Sequence, residues 1–157
     1  MKRFLLRVWR ILPAFLQELA SMIILPHFEV AAGAIVLNER GQILLCEHTY
    51  RRRHPWGLPG GGVKVGEDPA EAVRRELREE TGFSAQDTRL LLVENPKELH
   101  TVLIVYLCSG VSGEFVANEE VCALRYFDTE ALPDLFTGQR TVIQKALAVL
   151  CTQEISG

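Results

Sequence analysis

Three glutamates, Glu76, Glu79 and Glu80, stand at i, i+3 and i+4 in the run PAEAVRRELREET. A helix turns by about 100° per residue, so this spacing gathers three carboxylates on one face. The stripe is costly, because Glu76 and Glu80 repel as like charges at i,i+4. A hard divalent cation reverses the sign: Mg²⁺, or Mn²⁺ in its place, prefers carboxylate and water oxygens and accepts substrate phosphate into its shell. A solvated helix whose glutamates pair with Arg74, Arg75 and Arg78 accounts for the same residues without any metal. Upstream lies a basic and aromatic stretch, Tyr50, Arg51, Arg52, Arg53 and His54. Of these, Arg51 and Arg53 are candidates to receive substrate phosphates, and Trp56 is a candidate to contact a base; a solvated loop and a packed indole fit equally. His27, His48 and His100 are isolated, without metal-ligand spacing, and receive no role.

The elements that must position these groups follow from caps and periodicity. Asp68 can cap a helix, Pro69 suits its first position, Glu71 completes a D-x-x-E capping-box pattern and Gly82 supplies a left-handed stop. The spacing therefore predicts a helix over 69–81. On it Ala70, Val73 and Leu77 form a docking stripe, with Glu71, Arg74 and Arg78 towards water. Residues 30–37 and 42–47 read as strands joined by the turn Asn38-Glu39-Arg40-Gly41, a hairpin. Residues 49–62 are punctuated by Pro55, Gly57, Pro59 and Gly60-Gly61-Gly62, a loop or short strand with close backbone approaches. Strands are expected at 89–93, 101–108 and 121–127, and helices at 129–135 and 139–151. That order implies an α/β layered domain, helices covering the sheet.

The segment GGVKVGEDPAEAVRRELREETGF resembles the Nudix box from its first position to its last. The matching residues are Gly61, Glu67, Arg75, Glu76, Leu77, Glu79, Glu80, Gly82 and Phe83. Similarity extends more loosely over 30–127 and leaves residues 1–28 outside. The resemblance implies a Nudix-type α/β/α sandwich on a mixed sheet, with the box as a loop-helix-loop. It implies Glu76, Glu79 and Glu80 as ligands of Mg²⁺ or Mn²⁺, with the Gly60 or Gly61 carbonyl completing the site. Arg75 would hold a ligand glutamate and Glu67 would brace the loop. The reaction implied is metal-assisted hydrolysis of a pyrophosphate in a small nucleotide-like substrate. The family's general base varies, being a box glutamate or a later one; Glu119 and Glu120 are the local candidates for the latter, and an exposed turn explains them as well. A nucleoside di- or triphosphate is the first expectation, ADP-ribose or a nucleotide sugar the second; Pro96 does not stand where a subfamily marker is expected. A Nudix-fold binding module without catalysis is disfavoured because every box glutamate is retained.

Bulk properties narrow the rest. A chain of 157 residues with 48% hydrophobic and 24% charged residues suits a single globular domain, 29–157, with an N-terminal extension, 1–28. A net charge of −3 disfavours a long nucleic acid partner. Cys46, Cys108, Cys122 and Cys151 form no C-x-x-C pair, and three of them sit in apolar runs as small buried hydrophobes, which fits a reducing cytoplasm. In the extension Phe4, Leu5, Val8, Trp9 and Leu12 recur at helical spacing, Pro13 breaks the pattern, and Phe15, Leu16, Leu19, Met22 and Ile23 resume it. Arg7, Arg10 and Glu18 interrupt any bilayer-spanning run. Two short helices packed on the domain or on a second subunit, as in a homodimer, are expected. Lys2, Arg3, Arg7 and Arg10 also suit a membrane surface, the alternative.

Overall fold

The structure, a computed structural model, describes residues 9–24, 27–96 and 100–155. Helix α1 spans Ala14–Ile24, α2 Pro69–Thr81 and α3 Gln139–Ile155. The strands are β1 Glu29–Ile35, β2 Ile43–His48, β3 Trp56–Gly57, β4 Gly60–Gly62, β5 Phe83–Ser84, β6 Asp87–Glu94, β7 Thr101–Ser109, β8 Ser112–Gly113 and β9 Val121–Phe127. A mixed sheet runs β4-β1-β7-β6, in which β1 and β7 are parallel and the outer pairs antiparallel. A second sheet runs β3-β2-β9, antiparallel throughout, and β5 pairs with β8.

Alternation along the strands explains why helices cover both faces. Side chains of successive strand residues point to opposite sides. Ile35, Ile43, Leu45 and Val105 meet Val142, Ile143 and Ala146 of α3 in one apolar cluster. Ala32, Ala34, Val36, Leu44 and Tyr106 meet Ala72, Val73 and Leu77 of α2 in another. The result is the α/β/α sandwich with a mixed sheet that the resemblance to the Nudix box implies. Full burial of each such Leu, Ile or Val contributes about 1.5–3 kcal/mol, so α2 is held by its apolar stripe and not by helix propensity.

Four expectations need correction. Residues 30–37 and 42–47 join as a hairpin only near the turn, through Leu44 N–H to Val36 O at 2.9 Å and a bridge between Leu37 and Ile43. Beyond it β2 leaves β1 for β3 and β9, because β1 is already flanked by β4 and β7. Residues 129–135 form turns in place of a helix: Pro133 has no N–H to continue one, and Leu135 bridges to Trp56. The capping box is half made. Asp68 Oδ1 accepts from Ala70 N–H at 2.7 Å, but Glu71 turns outward to Arg74 at 2.6 Å. Of the cysteines, Cys46 and Cys108 are buried whereas Cys122 and Cys151 are exposed.

Around Pro13, residues 9–11 and α1 are helical on either side of the break, and Gln17 Nε2 donates to Trp9 O and Leu12 O across it. Phe4, Leu5 and Val8, together with the Met22 and Ile23 side chains, lie outside the described residues. On α1, Phe15 and Leu19 share one face and are 67% and 53% exposed, and Ile11 before the break is 81% exposed, so among the described residues these side chains are not covered. Among the described residues no helix is long and apolar enough to cross a membrane.

Candidate active site

The acidic face of α2 packs beside β4. Gly60 N–H donates to Glu80 Oε2 at 2.8 Å, tying the last ligand candidate to the loop that precedes the helix. Gly60 has φ +147°, and a Cβ there would lie 2.2 Å from Ala32 O, so glycine is required for β4 to lie against β1. At Gly61 a Cβ would lie 2.7 Å from the Glu76 carboxyl carbon. The missing side chain is the space in which backbone and carboxylate face each other.

Arg75 organises the opposite side. Its Nε and Nη2 hold both oxygens of Glu67, at 2.8 and 3.0 Å, and Nη2 also donates to Gly62 O at 3.0 Å. Its Nη1 donates to Glu76 Oε1 at 2.5 Å and to Glu79 Oε2 at 3.1 Å. Lys64 N–H donates to Glu67 Oε2 at 2.9 Å, which closes the loop onto the helix. The Arg75 bonds, with that N–H, hold the Glu67 carboxyl down to about 2, and the same carboxylates raise the Arg75 guanidinium.

Glu80 is the buried member, 3% exposed. Burial pushes its carboxyl up to about 8; the Gly60 N–H and Arg51 oppose the shift, while Glu76 and Glu120 add to it. His48 stands against it, Nδ1 3.6 Å from Glu80 Oε1. Burial, with help from the Arg51 charge, lowers His48 to about 4, so this contact joins a neutral ring to a carboxyl. Among the described residues no three acidic, His or Cys side chains converge closely enough to hold one ion, since Glu76 and Glu79 are both drawn onto Arg75. The donor set nonetheless fits a hard cation: among the described residues Glu80 is a buried carboxyl in no ion pair with a Lys or Arg, Glu76 faces a glycine gap, and carboxylate and carbonyl oxygens are what Mg²⁺ or Mn²⁺ takes.

Beside these residues opens a cavity of about 400 Å³, lined by Tyr50, Arg51, Gly60, Gly61, Phe136 and Gln139 among others. The Arg51 guanidinium lies over the Phe136 ring at 4.5 Å and the Tyr50 ring at 5.3 Å, and its buried Nη1 has no hydrogen-bond partner. Gln139 Oε1 accepts from Leu58 N–H at 2.8 Å, which fixes the start of α3 against the loop. The structure does not bring Arg53 or Trp56 to this cavity. Arg53 is exposed, and Trp56 packs edge-on against Phe127 at 4.9 Å. Glu119 and Glu120 lie exposed before β9, but their turn is anchored to the site. Asn118 Nδ2 donates to the Glu79 and Glu80 carbonyls at 3.1 and 3.3 Å, and its Oδ1 accepts from Glu120 and Val121 N–H at 2.9 and 2.8 Å.

His48, Asn118, Phe136 and Gln139 were missed by sequence reasoning. Each is brought in by long-range pairing, of β2 with β9 or of the 136–139 turn with the 55–58 loop. The isolated His48 carried no local signal, and Phe136 only that of an aromatic residue before a helix.

An α/β/α sandwich that sets a glycine loop and a carboxylate-bearing helix beside a cleft holding Arg51 fits a hydrolase of phosphorylated substrates. The NUDIX domain family model matches residues 27–146, and the chain belongs to that family. A relative, the ADP-ribose pyrophosphatase of Methanocaldococcus jannaschii, is 30% identical over 122 residues, covering 75% of this chain and 72% of its own. Among solved structures, a MutT Nudix hydrolase from Burkholderia pseudomallei matches with TM-score 0.66 and 32% identity over 76% of this chain and 98% of that one. An ADP-ribose pyrophosphatase from Streptococcus suis matches with TM-score 0.60 and 29% identity over 80% and 92%.

Proposed function

We propose that the protein is a Mg²⁺-dependent pyrophosphohydrolase, Mn²⁺ substituting, that cleaves a nucleoside diphosphate linked to a second group, with ADP-ribose the first substrate to test. The observation that carries the reading is the junction of Glu80, Gly60, Gly61 and Glu76 at the edge of the cleft that holds Arg51. When bound there, the divalent cation would neutralise pyrophosphate charge and activate water. Glu76 and Glu80, with a Gly60 or Gly61 carbonyl, would hold it; Glu79 would join once released from Arg75. Arg75 fixes the helix face by its bonds to Glu67, Glu76 and Glu79. Arg51, stacked and with a free buried N–H, would receive a substrate phosphate. Glu120 is near enough to act on the Glu80 carboxyl through its charge, which keeps it as candidate base beside the box glutamates.

The shape of the cleft supports a two-part substrate over a compact triphosphate. Pro96, Thr137, Gly138 and Val142 line both this cavity and a neighbouring one, which is also lined by Asn95 and Lys145. The names of the Methanocaldococcus and Streptococcus relatives point the same way. A panel of ADP-ribose, nucleotide sugars and nucleoside triphosphates, incubated with Mg²⁺ and resolved by mass, should yield AMP and ribose 5-phosphate from ADP-ribose. Turnover confined to triphosphates would overturn the two-part substrate; no turnover with Mg²⁺ or Mn²⁺ would overturn the enzyme.

A further inference from the structure

His48 ends β2 at an irregularity in register, where Glu47 pairs with Ala123 and His48 with Val121. Such a shift re-aims a side chain, and here the ring points inward. Its side chain is fully buried, its backbone N–H is spent on Pro55 O at 2.9 Å, and neither ring nitrogen has a hydrogen-bond partner. A buried polar ring is ordinarily paired, so an orphan at this depth calls for a reason. The acidic group beside it is the candidate metal ligand Glu80, with Oε1 3.6 Å from Nδ1. The other Glu80 oxygen is already held by Gly60 N–H.

We infer that His48 is a positioning residue for the metal site: its Nδ1–H closes onto Glu80 Oε1 and, with Gly60 N–H, fixes the carboxylate in the orientation that meets the cation. One donor per oxygen leaves the outward lone pairs of both free for the ion. A neutral imidazole carries one N–H, and the acceptor at Nδ1 selects that tautomer. Ligands are commonly oriented by such outer partners, whose loss costs roughly tenfold to a hundredfold in metal affinity. The inference rests on the reading of Glu80 as a ligand given above.

The test is calorimetric titration of the full chain with Mn²⁺ alone, in wild type, His48→Phe, His48→Asn and Glu80→Gln. Phenylalanine keeps a planar ring, slightly larger, and removes the donor; asparagine places an amide N–H near the Nδ1 position. Expected are a loss of about tenfold or more in Mn²⁺ affinity for His48→Phe, near-wild-type affinity for His48→Asn, and an unfolding temperature for His48→Phe no lower than wild type. Wild-type affinity in His48→Phe overturns the inference, as does an equal loss in both His48 variants accompanied by a falling unfolding temperature. If Glu80→Gln binds Mn²⁺ like wild type, the underlying ligand assignment fails instead. Ring-nitrogen NMR of the wild type is independent of any variant's folding: an Nδ1-protonated ring supports the inference, and an Nε2-protonated ring overturns it.

Discussion

Glu80 is a carboxyl taken out of water with one N–H for company, and that environment sets both its titration and its use. Glu80→Gln keeps the size and the Gly60 contact but removes the anion. We expect turnover to fall about a thousandfold, equivalent to about 4 kcal/mol in the barrier, with the fold intact. Near-normal kcat would remove Glu80 from the site. The same carboxyl makes a pH prediction. Its folded value, about 8, lies above the ordinary 4.5, so the folded state binds the extra proton between those values. In metal-free protein its contribution is therefore fully present below about 4.5 and lost as pH rises through about 8. Thermal unfolding of the metal-free wild type should weaken over that window relative to Glu80→Gln; parallel curves would contradict the shift. At this scale the sequence shows which residues carry charge but not what surrounds them. Glu76, Glu79 and Glu80 are legible from spacing, whereas the burial of Glu80 alone among them depends on strands distant in the chain.

At the scale of elements, α2 is legible to its ends because its signals are local. Asp68, Pro69 and Gly82 bound it, and Gly82 adopts φ +75° with its N–H on Arg78 O. Residues 129–135 mislead because their apolar spacing is met by burying Leu132 and Leu135 from turns, with no helix needed. The N-terminal segment is half legible: the break at Pro13 holds, but among the described residues Phe15 and Leu19 of the expected apolar face remain exposed. Exposed side chains such as Ile11, Phe15 and Leu19 each forgo part of the roughly 1.5–3 kcal/mol that full burial supplies. A second copy of the chain is the cover we expect. Deletion of residues 1–28 should therefore lower the mass seen by light scattering, or reduce solubility, and spare metal binding. If the full-length chain instead pellets with anionic liposomes and the truncated one stays soluble and fully stable, the membrane alternative wins.

For the whole molecule, the layered α/β class was readable from the mixed order of strands and helices, whereas the α/β/α sandwich on a mixed sheet came from the resemblance of the 61–83 segment to the Nudix box. The splitting of the expected hairpin was not readable, since β1 is claimed on both edges by β4 and β7, partners that no local pattern announces. That splitting matters for function. By leaving β1, β2 carries His48 against Glu80 and leads to Tyr50 and Arg51, which line the cavity together with Gly60 and Gly61. The fold thus brings Arg51 and an acidic helix together at a glycine loop, the arrangement on which the proposed pyrophosphate hydrolysis rests. The most direct test of this account is metal removal. ADP-ribose hydrolysis should vanish in EDTA and return with excess Mg²⁺, and reaction in water enriched in heavy oxygen should place the label on a phosphate of one product. Activity undiminished by EDTA, or label appearing on a carboxylate after cleavage of an ester, would contradict it.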